Sequence, residues 1–215
     1  MTTQLAYRDK IAVLDLGDGE NRFSPAWLDG LETHLDEVEA RAQGLVTIGA
    51  GKFYSNGLDL DFLMANGDRA EWYVNRVQAL FARILTFPMP TVAAVNGHSF
   101  GAGAMLAIAH DYRVMREDRG YYCFPEVDIN IPFTPGMAAL IQAKLGPQAA
   151  ITAMTTGHRF GGPQALTAGL VDGTAAADRI LDSAVERLSG LLGKNPDTVR
   201  AIKTTMFASV VAALR

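Results

Sequence analysis

Cysteine is nearly absent from this chain of 215 residues, and Cys123 stands alone. A lone cysteine excludes an internal disulfide and any metal centre built on several thiolates, and it fits a reducing compartment. Histidine is scarce too: His34, His98, His110 and His158 are the four, and they show no ligand spacing, so no metal is expected. Positive charge is not in excess, because 19 Lys and Arg face 23 Asp and Glu for a formal net charge of −4. That denies the chain the basic footprint of a nucleic-acid or anionic-membrane binder, and neither partner is expected. The most apolar span, 91–109, is interrupted by Asn96, His98, Ser99 and three glycines, which reads as buried protein rather than bilayer. The opening MTTQLAYRDK has no apolar h-region, so no secretory signal is expected. The closing Ala213-Leu214-Arg215 differs from a peroxisomal S-K-L signal, and a cytoplasmic location is the expectation. Internal repeats, low-complexity stretches and linkers are missing as well.

What remains is a chain of 49% hydrophobic residues, long enough for one well-buried domain and short for two. Residues 10–16 (KIAVLDL) predict a strand ended by the turn-rich GDGEN. Ser24-Pro25 is an N-cap followed by a first helical position, and Trp27, Leu28, Leu31, Leu35 and Val38 mark one helical face. A second buried strand is predicted over 45–48. Asp68 and Glu71 form a capping-box pattern ahead of a long amphipathic helix carrying Tyr73, Val77, Leu80, Phe81, Ile84 and Leu85. Strands are predicted over 111–115 and 121–124, and helices over 135–145, 148–155, 177–192 and 197–214. Strand and helix alternate for two thirds of the chain and helices follow, which implies α/β layers with a helical extension.

Three stretches carry chemistry. In TVAAVNGHSFGAGAMLAIAHD (91–111) a buried strand turns into a helix start, whose first N–H groups lack intrahelical partners and sit at the positive end of the macrodipole. Gly97-His98-Ser99-Phe100-Gly101 fits the G-x-S-x-G elbow of serine hydrolases, with Ser99 as nucleophile. Its triad would need an acid and then a histidine downstream, where only His158 is available. A dinucleotide fingerprint fails because Leu106 stands where a third glycine belongs. The remaining readings are an oxyanion hole of backbone N–H groups and plain close packing of small residues. In GAGKFYSNGLDLDF (49–62), Gly51-Lys52 is not a P-loop, since Val46 and Phe53 occupy its glycine and hydroxyl positions. What is left there is a second strand-to-helix junction at Ser55-Asn56-Gly57-Leu58. Finally, Glu126 lies among Cys123, Phe124, Pro125, Val127, Ile129 and Ile131. Drawn into such surroundings its pKa would rise, as suits a general base; alternatively it turns to solvent or pairs with Arg113 or Arg119.

Together FYSNGLDLDF, AAVNGHSFGAGAMLAIAHDYRVM, FPEVDINIP and TTGHRFGGPQALTAGLVD resemble the crotonase superfamily, the enoyl-CoA hydratase/isomerase family, over about residues 10–172. SNGLDL, GHSFGAGAMLAIAHDYRVMREDRG and PEVDI look most like delta(3),delta(2)-enoyl-CoA isomerases of the plant type. The resemblance implies a single domain over 1–215: a ββα spiral (about 1–175) with C-terminal helices (about 176–215), assembled as a homotrimer or hexamer. It places the two oxyanion N–H groups on Leu58 and Ala102, and the catalytic base on Glu126. Ala102 departs from the family's usual glycine. The acyl-CoA substrate is expected along Lys52, Asn56, Gly57, Leu58, Asp59 and Leu60. Met105 stands where hydratases have a second glutamate; a thioether exchanges no protons and would line an apolar acyl site. The implied activity is double-bond isomerisation with no cofactor beyond the CoA of the substrate. The alternatives are another family reaction, such as hydration or thioester hydrolysis, the Ser99 hydrolase, and a non-catalytic binding module.

Overall fold

In the computed structural model, which describes residues 3–215, QLAYR and the apolar run IAVLD pair antiparallel as β1 (Gln4–Arg8) and β2 (Ile11–Asp15). The first two residues of the expected 1–215 domain lie outside the described residues. Ser24 caps α1 (Pro25–Arg41) by accepting the Trp27 N–H, and the predicted face from Trp27 to Val38 is buried. From there one unit repeats. β3 (Gly44–Ile48) and β4 (Phe53–Ser55) lead to α2 (Leu60–Ala65) and α3 (Ala70–Leu85). β5 (Thr91–Val95) and β6 (His98–Phe100) lead to α4 (Ala102–Ala109). β7 (Tyr112–Arg116) and β8 (Tyr122–Cys123) lead to α5 (Pro135–Lys144), α6 (Pro147–Thr155) and α7 (Gly162–Thr167).

Each turn gives one strand to a large sheet and the next to a small one. With β9 (Gly173–Ala175), the large sheet has the order β1-β2-β3-β5-β7-β9 and the small sheet β4-β6-β8. Beyond β1–β2 every ladder in both sheets is parallel. This is the ββα spiral of the crotonase fold. Apolar layers cover both faces of the large sheet, which is why its central strands β2, β3 and β5 read as largely apolar runs. The main core fills one face, and α8 (Ile180–Ser189) closes the other by setting Ile180, Ala184 and Leu188 on Val46, Val92 and Val114. α9 (Pro196–Met206) and α10 (Ala208–Ala213) complete the extension. No helix among the described residues is long and apolar enough to cross a membrane.

Two local expectations need correction. The Asp68/Glu71 capping box does not form, because residues Gly67–Arg69 make a 3-10 turn and Arg69 becomes the cap of α3 with no side-chain bond. The single helix expected over 197–214 breaks at Phe207, whose ring is buried while the chain turns into α10.

The carboxyl end of α4 is held by buried polar groups. Arg113 donates to the carbonyls of Leu170 (2.7 Å) and His110 (3.2 Å) and pairs with Asp172 at 2.9 Å. Lys144 donates to the same His110 carbonyl at 2.8 Å. The His110 ring bonds the Leu106 carbonyl through Nδ1 (2.8 Å) and Thr47 Oγ1 through Nε2 (3.0 Å), and Thr47 Oγ1 meets the Tyr54 hydroxyl at 2.8 Å. A carbonyl only accepts, so Nδ1 carries the proton and the chain runs Tyr54 to Thr47 to His110 to Leu106. Burial pushes the imidazole down to about 3, and it stays neutral.

Candidate active site

Two strand-to-helix junctions meet at one place. After β4 the Gly57 N–H goes to Ser55 Oγ (3.0 Å) and the Asp59 N–H to the Tyr73 hydroxyl (2.8 Å). Between them, the Leu58 N–H has no backbone acceptor among the described residues. After β6 the Gly101 N–H goes to the Cys123 carbonyl (3.0 Å), and Ala102, the first residue of α4, likewise keeps a free N–H. Gly57, at φ +80°, brings the two together, since a Cβ there would stand 2.8 Å from Ala102 N. Only glycine suits that backbone and that gap. A side chain at Gly103 would likewise run into the Ser55 carbonyl. Two unpartnered N–H groups, one at the positive end of α4, therefore lie side by side.

Glu126 arrives from β8 on a single helical turn. The Asp128 and Ile129 N–H groups return to the Pro125 carbonyl, and the Ile131 N–H closes on the Glu126 carbonyl at 3.0 Å, with Asn130 left-handed at φ +56°. The turn exposes Val127, Ile129 and Ile131 and folds the carboxylate inward, where Glu126 is 9% exposed. Among the described residues the buried Oε2 has no hydrogen-bond partner, and Oε1 lies 3.3 Å from where a Gly101 Cβ would be. Burial pushes this carboxyl up to about 7. Neither arginine weighed as a partner pairs with it: Arg113 is buried against Asp172, and Arg119 lines a separate cavity with His98.

These groups share a pocket of about 440 Å³ whose wall includes Asn56, Leu58, Leu60, Phe100, Gly101, Ala102 and Glu126. Of the predicted residues, Gly57 packs behind this wall, and Asp59 caps α2 and faces a neighbouring hollow. Lys52 lies off the wall with its ammonium 5.2 Å from the Phe53 ring, and Met105 is buried in the middle of α4, also off the wall. Ser99 is fully buried, its Oγ makes no hydrogen bond, and it does not reach the pocket, which removes the nucleophile reading. His98 is stacked on Phe100 with ring centroids 5.2 Å apart, outside the pocket. Sequence reading missed Arg22, Asp61, Met64, Ile129, Ile131 and Arg159 on the wall. For Ile129 and Ile131 a signal existed, the alternating apolar run after Glu126. Arg22 bridges Glu20 and Asp61, a pairing across 39 positions that no local pattern reveals.

A model of the enoyl-CoA hydratase/isomerase family matches residues 7–215. The chain is 36% identical over 174 residues to the peroxisomal enoyl-CoA delta isomerase 1 of Arabidopsis thaliana, covering 78% of this chain and 72% of that relative. To enoyl-CoA delta isomerase 3 of Arabidopsis thaliana it is 32% identical over 203 residues, covering 89% and 85%. The solved structure of a probable enoyl-CoA hydratase from Mycobacterium tuberculosis matches with a TM-score of 0.92 at 27% identity, over 100% of this chain and 92% of that one. Spiral, paired junctions and sequence likeness agree: the chain belongs to the enoyl-CoA hydratase/isomerase family, within the crotonase superfamily.

Proposed function

We propose that this protein is a delta(3),delta(2)-enoyl-CoA isomerase that moves a double bond by single-base proton transfer, with no cofactor beyond the CoA of its substrate. The observation that carries the reading is a solitary buried carboxylate. Glu126 has an unpartnered oxygen beside the Gly101–Ala102 junction, and Met105 holds the position where the family resemblance puts a hydratase's second glutamate. Asp61, the other carboxylate on the wall, is tied to Arg22 and open to solvent, so it offers no second acid for hydration. The isomerase names of the Arabidopsis relatives support the same choice.

The thioester oxygen accepts the N–H groups of Leu58 and Ala102. Glu126 takes a proton from C2, the freed electron pair becomes a C1–C2 double bond, and the negative charge builds on the thioester oxygen as a dienolate. The protonated Glu126 then returns the proton to C4, which leaves the double bond between C2 and C3 and restores the carboxylate. Two donors fixed before the reaction act mainly as that charge develops, and losing one such donor typically costs about 2.7 to 4 kcal/mol of barrier. A carboxyl near 7 suits both halves of the transfer, since base and acid forms are then close in energy at neutral pH.

The test is Glu126→Gln, which keeps the size and removes the base. Isomerisation of a 3-enoyl-CoA should fall by about 10²- to 10⁴-fold while acyl-CoA binding survives. Formation of the conjugated thioester and, separately, its loss by hydration are followed for both proteins. Rapid hydration by the wild type, or undiminished isomerisation by the variant, would defeat the single-base reading.

A further inference from the structure

Tyr54, Tyr73 and Tyr122 are among the largest fully buried side chains of the molecule. A buried hydroxyl gains nothing over a phenylalanine hydrogen unless it makes a bond that something needs. Two of these three hydroxyls bond to backbone beside the two free N–H groups. Tyr73, on α3, accepts the N–H of Asp59 at 2.8 Å, the residue directly after Leu58. Tyr122, on β8, donates to the carbonyl of Ala104 at 2.6 Å, in the first turn of α4, whose first residue is Ala102. Tyr122 also lies on the strand that leads within four residues to Glu126. The hydroxyl of Tyr54 instead meets the side chain of Thr47, on the way to the other end of α4.

From this geometry we infer that Tyr73 and Tyr122 are positioning residues for the oxyanion hole, each hydroxyl fixing the peptide next to one donor. Tyr73 takes the Asp59 N–H out of competition, so that the loop presents one donor, from Leu58, rather than two that share a loose turn. It also holds the α2 entry from the far side, through the contact of its ring with Phe62 at 5.3 Å. Tyr122 ties the strand that delivers the base to the helix that delivers the Ala102 N–H, and so sets the distance between them. The Ala104 carbonyl already lies in a helix where it has a ladder acceptor role, so the extra bond serves alignment rather than satisfying an orphan. Neither tyrosine reaches the pocket, and each acts through the peptide it holds.

The inference rests on the oxyanion reading proposed above, and its test separates the two. Tyr73→Phe and Tyr122→Phe each remove one hydroxyl and keep the ring; Tyr54→Phe is an equally buried control. The infrared C=O stretch of butyryl-CoA bound to each protein reports how strongly the thioester oxygen is polarised, whatever reaction the enzyme carries out. The wild type and Tyr54→Phe should lower that frequency on binding, and the Tyr73 and Tyr122 variants should lose part of the shift. With a 3-enoyl-CoA, kcat of those two variants should fall by about tenfold or more with KM changed less than about twofold, as expected for misplacement that acts in the transition state. Thermal unfolding of all three variants checks that they fold. A wild-type shift kept whole in both variants, or a kcat loss matched by Tyr54→Phe, would overturn the inference alone. A wild type with bound butyryl-CoA and no shift would overturn the oxyanion reading together with it.

Discussion

The two ends of α4 lie about 12 Å apart along one short helix and are treated in opposite ways. At the carboxyl end the carbonyls are answered by Arg113, Lys144 and the neutral His110, with Arg113 and the imidazole bonded in turn to Asp172 and Thr47. At the amino end the Ala102 N–H is left without a partner, beside an equally free Leu58 N–H and a buried carboxylate with one orphaned oxygen. Burying an unbonded polar group costs free energy, so the fold spends its satisfied bonds at one end and concentrates its unsatisfied ones at the other. The lesson is that a polar group's partners, more than its burial, distinguish scaffold from chemistry.

Ala102→Pro attacks the amino end. Proline is tolerated at the first position of a helix, so the helix should survive, but the donor is gone and turnover should drop by about 10²-fold or more. Ala102→Gly keeps the N–H and should be close to neutral; normal folding with full activity in both variants would mean that no donor acts there. Arg113→Met attacks the carboxyl end and should do the reverse. It leaves Asp172 without its cation, for a loss of about 3 kcal/mol in denaturant unfolding. That is the low end for a broken buried pair, because Asp172 remains partly exposed and still accepts the Arg113 N–H. The kcat of the folded fraction should hardly change. A large kcat defect in Arg113→Met would erase the contrast.

Titration sharpens the comparison, with effects of the same order or smaller. Glu126 is raised from 4.5 to about 7, so the folded protein holds a proton that the unfolded chain has already released between those values. Stability therefore falls as pH rises through that window, by on the order of 3 kcal/mol, and Glu126→Gln should become stabilising above pH 7. Activity should rise over the same range with a midpoint near 7, since the base must be ionised. His110 runs the other way. Lowered from 6.5 to about 3, it lets the unfolded chain bind the extra proton, and stability falls as pH drops through that window. Urea midpoints of wild type and Glu126→Gln across pH 4 to 9 check both signs, and a difference between them that does not vary with pH would contradict the raised carboxyl.

Long periodic elements were legible in the sequence because their signal is the burial that forms them. α1, α3, β2, β3 and β5 fall where the apolar spacing puts them. The three-residue strands β6 and β9 were not, since so short a run shows no period and its pairing partners lie far along the chain. The capping pattern at Asp68 misled because a 3-10 turn captured those residues first. At the site, Glu126 stood out by its apolar neighbours, but whether it faced inward depended on the turn that ends in Asn130. Arg22 and Arg159 were silent, because their place on the pocket wall follows from tertiary packing alone.

The large sheet is laid down in the order in which the chain is made: β1-β2-β3-β5-β7-β9. As the polypeptide leaves the ribosome, each new strand of that sheet finds its neighbour already in place, so the spiral can grow from its amino end without waiting for distant sequence. The same order means that the growing structure always carries one bare parallel edge. Until β9 pairs Gly173, Thr174 and Ala175 with Val114, Met115 and Arg116, that edge is β7. Exposed strand edges template pairing with other chains. Nascent chains stalled or cleaved between residues 116 and 173 should therefore be prone to aggregate, and the pairing of β9 replaces the five-residue edge of β7 with one of only three residues.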